Sequence, residues 1–187
     1  MKKFELTAES KINIFGKKLF RIKALISFGD VEEGETGGWI EKEENLEQSS
    51  GDAWVYGDAE VYGNARVYGN ARVSGNAGVY GNARVSGNAE VYGNARVSGN
   101  ARVSGNAEVY GNADYTTIHG FGTQFRTTTF FQCEDKQIRV SCGCFLGTIP
   151  EFREQVKNTR EGKIAEEYLM IADLMEKHFV KEKESGE

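Results

Sequence analysis

The sequence predicts a mainly β protein built around a parallel β-solenoid, and three observations predict it. Between Ser50 and Tyr115 one six-residue phrase recurs eleven times without insertion or loss, from Ser50-Gly-Asp-Ala-Trp-Val55 through Tyr62-Gly-Asn-Ala-Arg-Val67 to Tyr110-Gly-Asn-Ala-Asp-Tyr115. A short fixed period of this kind is the mark of a solenoid, in which each repeat contacts only its neighbours. Within each phrase Ala-x-Val-z alternates as a strand must, so Ala and Val point inward while x and the Tyr or Ser at z point to solvent. The intervening Gly-Asn pair supplies the corner, because Gly adopts positive φ without steric cost and Asn is among the few other residues that visit that region.

The phrase resembles the hexapeptide pattern of left-handed parallel β-helices, which have an aliphatic residue at the interior position and a small residue two before it. The resemblance implies three phrases per coil and a triangular prism, a fold that serves acyltransferases, carbonic-anhydrase-like proteins and inert scaffolds alike, so it fixes no function. Coils stack about 4.8 Å apart and each buried Val contributes roughly 1.5–3 kcal/mol, enough for a narrow prism to be stable when its ends are covered. Interior positions are then Val61, Val67, Val73, Val79, Val85, Val91, Val97, Val103 and Val109.

The flanks read as covers for the open ends, where unpaired strand edges would otherwise be exposed. Residues 1–49 are expected to form an N-terminal cap: a hairpin of Ile12-Asn-Ile-Phe15, a turn at Gly16-Lys17-Lys18 and a second arm from Leu19 to Leu25, then an irregular coil carrying Val31, Ile40 and Leu46 inside. Trp39 and Trp54 are expected to close that end. The repeat domain spans 50–115. Residues 116–187 are expected to hold a second hairpin, Thr127 to Phe131 and Ile138 to Cys142 around a turn at Glu134-Asp135-Lys136, followed by two helices. The first helix opens at Thr148, where Thr148 and Glu151 form a capping box with Pro150 in the first turn, and it buries Phe152 and Val156. The second runs from about Glu161 to Val180 with Ile164, Tyr168, Ile171, Met175 and Phe179 on one face.

Composition limits the function classes. The chain of 187 residues has a net charge of −5, spread evenly, which argues against general nucleic-acid binding. No apolar run is long enough to span a bilayer and the start, Met-Lys-Lys-Phe-Glu-Leu, has no apolar core of a signal peptide, so no membrane association and a cytoplasmic location are expected. Three cysteines, Cys133, Cys142 and Cys144, fit a reducing compartment. Cys142 and Cys144 share one side of a strand and Cys133 lies across the expected hairpin, so three sulfurs can approach one another; buried packing, a zinc site completed by a histidine, or a thiol activated by Lys136 or Arg139 are the readings.

Because the repeat is gapless, outward positions eighteen apart stack on one face. One face carries Trp54, Arg72, Glu90 and Glu108 beside Tyr56, Ser74, Tyr92 and Tyr110. A second carries Glu60, Gly78, Arg96 and Asp114 beside Tyr62, Tyr80, Ser98 and Thr116, with Gly78 leaving a notch. The third carries Arg66, Arg84 and Arg102 beside Tyr68, Ser86 and Ser104, with no carboxylate in either column. Adjacent guanidiniums one rung apart repel by about 1 kcal/mol in water, and an anion relieves that cost. Arginine's planar fork suits carboxylate or phosphate, Tyr68 offers a ring for stacking, and Ser86 and Ser104 offer hydroxyls. The ladder reads either as a solvated face or as an anion-binding or subunit-contact surface.

A zinc site with three histidine ligands cannot be built from one chain with two histidines, His119 and His178, and His119 is the one positional candidate for the catalytic histidine of a hexapeptide acyltransferase. No loop protrudes from the repeat to form an acyl-donor cleft. Beyond the repeat, Lys3-Phe-Glu-Leu-Thr7, Phe28-Gly-Asp-Val31, Gly37-Gly38-Trp39, Thr127 to Phe131, Val140-Ser-Cys-Gly-Cys-Phe145, Gly147-Thr148 and Phe152 make the whole chain resemble a group of repeat proteins of phages, prophages and gut bacteria. That resemblance implies an origin rather than a mechanism. The reading is a cofactor-free, metal-free, homo-oligomeric binding protein, a trimer by preference, that sequesters a small anionic, nucleotide-like ligand to counter host defence through Arg66, Arg84, Arg102, Tyr68, Ser86 and Ser104. A protein-interaction scaffold and an acyltransferase-like enzyme are the alternatives.

Overall fold

The computed structural model describes residues 2–179. Strands β1 (Phe4–Ile12), β2 (Lys18–Ala24) and β3 (Thr36–Ile40) are followed by ten two-residue strands, one per repeat: β4 (Trp54–Val55), β5 (Glu60–Val61), β6 (Arg66–Val67), β7 (Arg72–Val73), β8 (Gly78–Val79), β9 (Arg84–Val85), β10 (Glu90–Val91), β11 (Arg96–Val97), β12 (Arg102–Val103) and β13 (Glu108–Val109). Every third strand pairs in parallel, giving three faces: β3-β5-β8-β11, prolonged by the antiparallel β1-β2 hairpin, then β4-β7-β10-β13, and β6-β9-β12. The result is a parallel β-solenoid of about four coils. The nine expected interior valines are at most 1% exposed, as are the alanines two before them.

The corners are built differently from the expectation. Glycine alone takes the positive φ, between 57° and 71° from Gly57 to Gly105, whereas the following asparagines do not. Their amides instead form ladders up the corners. Asn64 donates to Asn82 and Asn82 to Asn100 at 3.3 and 3.1 Å, and Asn70 to Asn88 and Asn88 to Asn106 at 3.0 and 3.2 Å. An amide both donates and accepts, so it can pass the bond from rung to rung where a carboxylate cannot.

The N-terminal cap differs from its expected hairpin in one arm. The first strand is Phe4–Ile12, and Ile14 and Phe15 lie in the turn, 90% and 62% exposed. Turn formation follows from Asn13, whose side-chain oxygen accepts from the amides of Phe15 and Lys17 at 3.0 Å. Inside the cap, Ile40 pairs beneath Val61 and Leu46 beneath Val67, and Val31 is buried with them. Trp54 is fully buried although it occupies an outward position, because Phe4 and Phe28 cover it edge-on at 6.1 and 5.5 Å. Lys3 sits over the Phe28 ring and donates to the Ala53 carbonyl at 3.0 Å; burial lowers its pKa.

At the other end the period stops one phrase early. Gly111 leaves the positive-φ region, and the Asp114 carboxylate turns back to accept from the amides of Tyr110 and Gly111 at 3.0 and 2.8 Å instead of forming a rung above Arg96. Thr116 likewise leaves the coil for β14 (Tyr115–Phe121). The expected second hairpin is the centre of a four-stranded antiparallel sheet, β14, β15 (Arg126–Gln132), β16 (Ile138–Cys142) and β17 (Phe145–Thr148). This sheet closes the prism: Phe131 and Cys133 join the solenoid core, the Thr129 hydroxyl accepts from the Arg102 amide at 3.0 Å, and the Glu134 amide donates to the Asn106 carbonyl. Its other side packs on α1 (Ile149–Thr159) and α2 (Gly162–His178) around Phe130, Val140, Phe152, Val156, Tyr168 and Ile171. The Thr148–Glu151 capping box forms as the sequence predicts. The second helix keeps its expected apolar face, with Glu161 as N-cap; Val180 lies outside the described residues. Among the described residues no helix is long and apolar enough to cross a membrane.

Candidate anion-binding site

The three faces differ in how their charges are satisfied. On the β4 face Arg72 pairs with Asp30 from the N-terminal cap, and Glu108 pairs with Lys136 from the C-terminal sheet at 2.8 Å. On the β3 face Glu60 pairs with Lys11 at 2.8 Å, and Tyr62 and Tyr80 stack at 5.0 Å with Phe15 laid over both at about 6 Å. Tyr62 is buried by this cover, which pushes its phenol up to about 12. The notch at Gly78 is filled from within the chain: the Arg96 guanidinium lies 2.8 Å from where a Cβ of residue 78 would be. It is therefore no open slot.

On the third face Arg66, Arg84 and Arg102 stand in register on β6, β9 and β12, all exposed, and among the described residues none of them makes an ion pair. Tyr68 is 37% exposed, and Ser86 and Ser104 are half-buried. The structure thus brings the expected residues to one face, but it changes the surroundings at both ends. At the foot, Leu46 pairs beneath Val67 and the Glu47 amide donates to the Val67 carbonyl, so the cap places beneath Tyr68, in the column beside the arginines, a carboxylate that the repeat lacks. Hydrogen bonds from the Ser49 hydroxyl and amide hold Glu47 ionised to lower pH than usual, with Arg66 adding a smaller electrostatic contribution.

At the head, Arg102 Nη1 donates to the Gly143 carbonyl at 3.0 Å, which fixes the guanidinium at the mouth of a cleft of about 530 Å³. Arg126 and His119 line the same cleft, and the Arg126 guanidinium lies against Gly143. The cationic column is therefore prolonged past the repeat by a residue that the period could not reveal, because β15 crosses the prism end. His119 Nδ1 lies 3.5 Å from the Thr127 hydroxyl. Ser104 opens elsewhere, onto a cleft of about 770 Å³ that also holds Glu134, Asp135 and Glu151, where an anion meets carboxylates.

The cysteines do not converge. In the β15–β16 register Gln132 faces Ile138 and Thr128 faces Cys142, which puts Cys133 and Cys142 at opposite ends of the hairpin. Cys133 is buried against the solenoid core, and that burial pushes its thiol up to about 11. Its neighbour Arg139, expected to activate a thiol, is paired with Asp135 at 2.7 Å. Cys142 accepts from the Thr128 hydroxyl at 3.2 Å, and Cys144 is exposed. Among the described residues no group of three or more His, Cys, Asp or Glu is placed to hold a metal.

Fold and face together define a β-solenoid repeat protein with one uncompensated arginine column. The repeat is similar to the YdcK beta solenoid repeat, whose family model matches residues 59–75, 65–81, 79–93 and 89–105. These windows fall inside the stacked coils and leave both caps unmatched. A search of curated proteins finds no match to the chain.

Proposed function

We propose that the protein binds a small anionic, nucleotide-like ligand without catalysis, along the face of Arg66, Arg84 and Arg102. The observation that carries this reading is the contrast among faces: the caps provide Asp30, Lys11 and Lys136 to partner charges on two of them and, among the described residues, leave the arginine column without an ion pair. Guanidiniums fork onto phosphate oxygens, the middle rung Arg84 and the head rung Arg102 grip the anion, and the Tyr68 ring stacks on a base. Ser86 donates from the neighbouring column, while Ser104 sits too close to carboxylates to contribute. Each charge-assisted bond contributes about 1.5–3 kcal/mol, so Arg84→Ala weakens binding roughly tenfold or more. Calorimetry against mono-, di- and cyclic nucleotides tests this, and an affinity unchanged in Arg84→Ala sinks it.

The reading includes a homotrimer, supported by the flat tyrosine-bearing faces; light scattering at the monomer mass of 20.7 kDa removes that part of it. The reading takes sequestration of a host signal, to counter host defence, as the purpose of binding. A protein-interaction role has one observation of its own, the apolar pair Met170 and Leu174 one turn apart on the outer side of α2, 69% and 57% exposed.

A further inference from the structure

Between its sheet and its helices the C-terminal unit forms a cavity of about 110 Å³, which shares Arg126 and Cys144 with the cleft beside Arg102. Its floor is apolar. Phe152 meets Phe145 at 5.6 Å and Tyr168 edge-on at 5.8 Å, with Val156 beside them. Tyr168 is pinned in place: its hydroxyl donates to the Phe121 carbonyl at 3.3 Å and occupies the space where a side chain on Gly122, at φ +71°, would lie. Burial, above all, pushes its phenol up, so the ring stays neutral.

The rim has the opposite character. Arg126 and Arg160 both line the cavity and, among the described residues, neither makes an ion pair, whereas Arg153 nearby on α1 is held by Asp173 and Glu176 at 2.7 Å. Gln155 and Thr159 add amide and hydroxyl groups between them. Arg160 is positioned by its place as C-cap of α1, where Nη1 donates to the Thr159 carbonyl at 2.8 Å. Arg126 is positioned by Gly143, whose missing side chain leaves room for the guanidinium.

Rings below two uncompensated guanidiniums select a ligand with an apolar body and one negative charge. At about 110 Å³ the cavity is too small for a nucleotide and smaller than the roughly 150 Å³ engineered apolar cavity that takes up benzene, so it admits at most one small ring whose polar end stays at the open rim. We propose that this cavity binds a small organic carboxylate with a flat or short apolar body, best an aryl carboxylate. Its carboxylate is forked by Arg126 and Arg160, and its ring is set against Phe145, Phe152 and Tyr168. An inorganic anion satisfies the rim and leaves the rings unused; a neutral aromatic does the reverse.

Alkylation of the full-length protein by iodoacetamide, read by mass spectrometry at each thiol, tests this, with benzoate as the probe. Cys142 and Cys144 line the cavity, and because Cys133 is buried, N-acetylcysteine alkylated in the same solution serves as the control for any direct effect of benzoate on the reagent. Benzoate is expected to slow alkylation of Cys142 and Cys144 saturably, and Arg126→Gln and Arg160→Gln each to weaken that protection tenfold or more, while Arg84→Ala leaves it unchanged. Saturation-transfer NMR between benzoate and the protein's aromatic protons gives a readout that needs no variant. No protection and no transfer at concentrations on the order of 10 mM, the weak end of specific binding, overturns the proposal. So does equal protection by inorganic phosphate or by benzyl alcohol, or protection that survives both arginine substitutions.

Discussion

Val85 and Arg84 are adjacent residues with opposite fates, and substituting aspartate at each separates the inside of the prism from its outside. Val85 is fully buried at the middle rung between Val67 and Val103, which are themselves at most 1% exposed, so no water reaches the site. Val85→Asp forfeits roughly 1.5–3 kcal/mol of side-chain burial and adds the penalty of an unpaired buried carboxylate, several kcal/mol after relaxation. Together these approach the whole stability of a typical domain, about 5–15 kcal/mol, so the coil is expected to unfold. Burial also raises the pKa of the new carboxyl in the folded state above its unfolded value; the raised group favours folding below the unfolded pKa, and that contribution is lost as pH rises through the folded one. Any residual fold in Val85→Asp is therefore more stable at pH 5 than at pH 8 relative to wild type. Arg84→Asp replaces two repulsive neighbours with two attractive ones in solvent and is expected to change stability by less than about 1 kcal/mol. Thermal unfolding followed by circular dichroism reads both. Equal losses of melting temperature in the two variants refute the inward and outward assignment.

The corner amides and the top of the core make two further predictions. Asn88→Asp keeps an acceptor toward Asn70 and loses the donor toward Asn106, so it is expected to cost about 1 kcal/mol in chemical denaturation, whereas Asn94→Asp, at the end of a shorter ladder, costs less. Cys133 has a thiol pushed up from its ordinary value of 9.0 to about 11 by burial, so its contribution to stability is complete below pH 9 and is lost as pH rises from 9 to 11; Cys133→Ala should flatten the fall of melting temperature across that window, and identical slopes would count against the burial argument.

The repeat was legible because its inward positions obey one local rule that nothing at long range overrides. Val61 to Val109 needed only the period and the alternation of a strand, and the helix start at Thr148 needed only a capping box. The misread elements are those whose conformation depends on partners distant in sequence. Strand β14 carries no alternation strong enough to mark it, and it forms because β15 offers it an edge. The first arm of the N-terminal hairpin was placed too late because Ile14 and Phe15 look like strand residues; Phe15 is apolar for another reason, to lie over Tyr62 and Tyr80. At the site the same division holds. Arg66, Arg84 and Arg102 were found by counting eighteens, whereas Glu47, Arg126 and the clefts beside Arg102 and Ser104 arise where the caps fold back onto the prism, and no spacing announces them. The three cysteines gathered in sequence and separated in space for want of a register that only the sheet supplies.

The caps also decide how the arginine column should respond, rung by rung. Arg66 stands next to Glu47, a carboxylate kept ionised by Ser49, so part of its field is already answered within the chain. Arg102 is tied to the Gly143 carbonyl and shares its cleft with Arg126, so it is held in place and a second guanidinium stands beside it. Arg84 touches neither cap and has a guanidinium on each side, so an anion seated there collects the attraction of all three within a Debye length of about 8 Å. Binding along this face therefore requires an order of effect: Arg84→Ala and Arg102→Ala weaken an anionic ligand by tenfold or more, and Arg66→Ala by clearly less. Glu47→Gln, which removes the competing charge, strengthens it. Nucleotide affinities of the four variants measured by calorimetry at one salt concentration give that order directly. A ligand that loses most on Arg66→Ala, or that is indifferent to Glu47→Gln, does not bind by the charge of this column, and its site then lies with the caps rather than with the repeat.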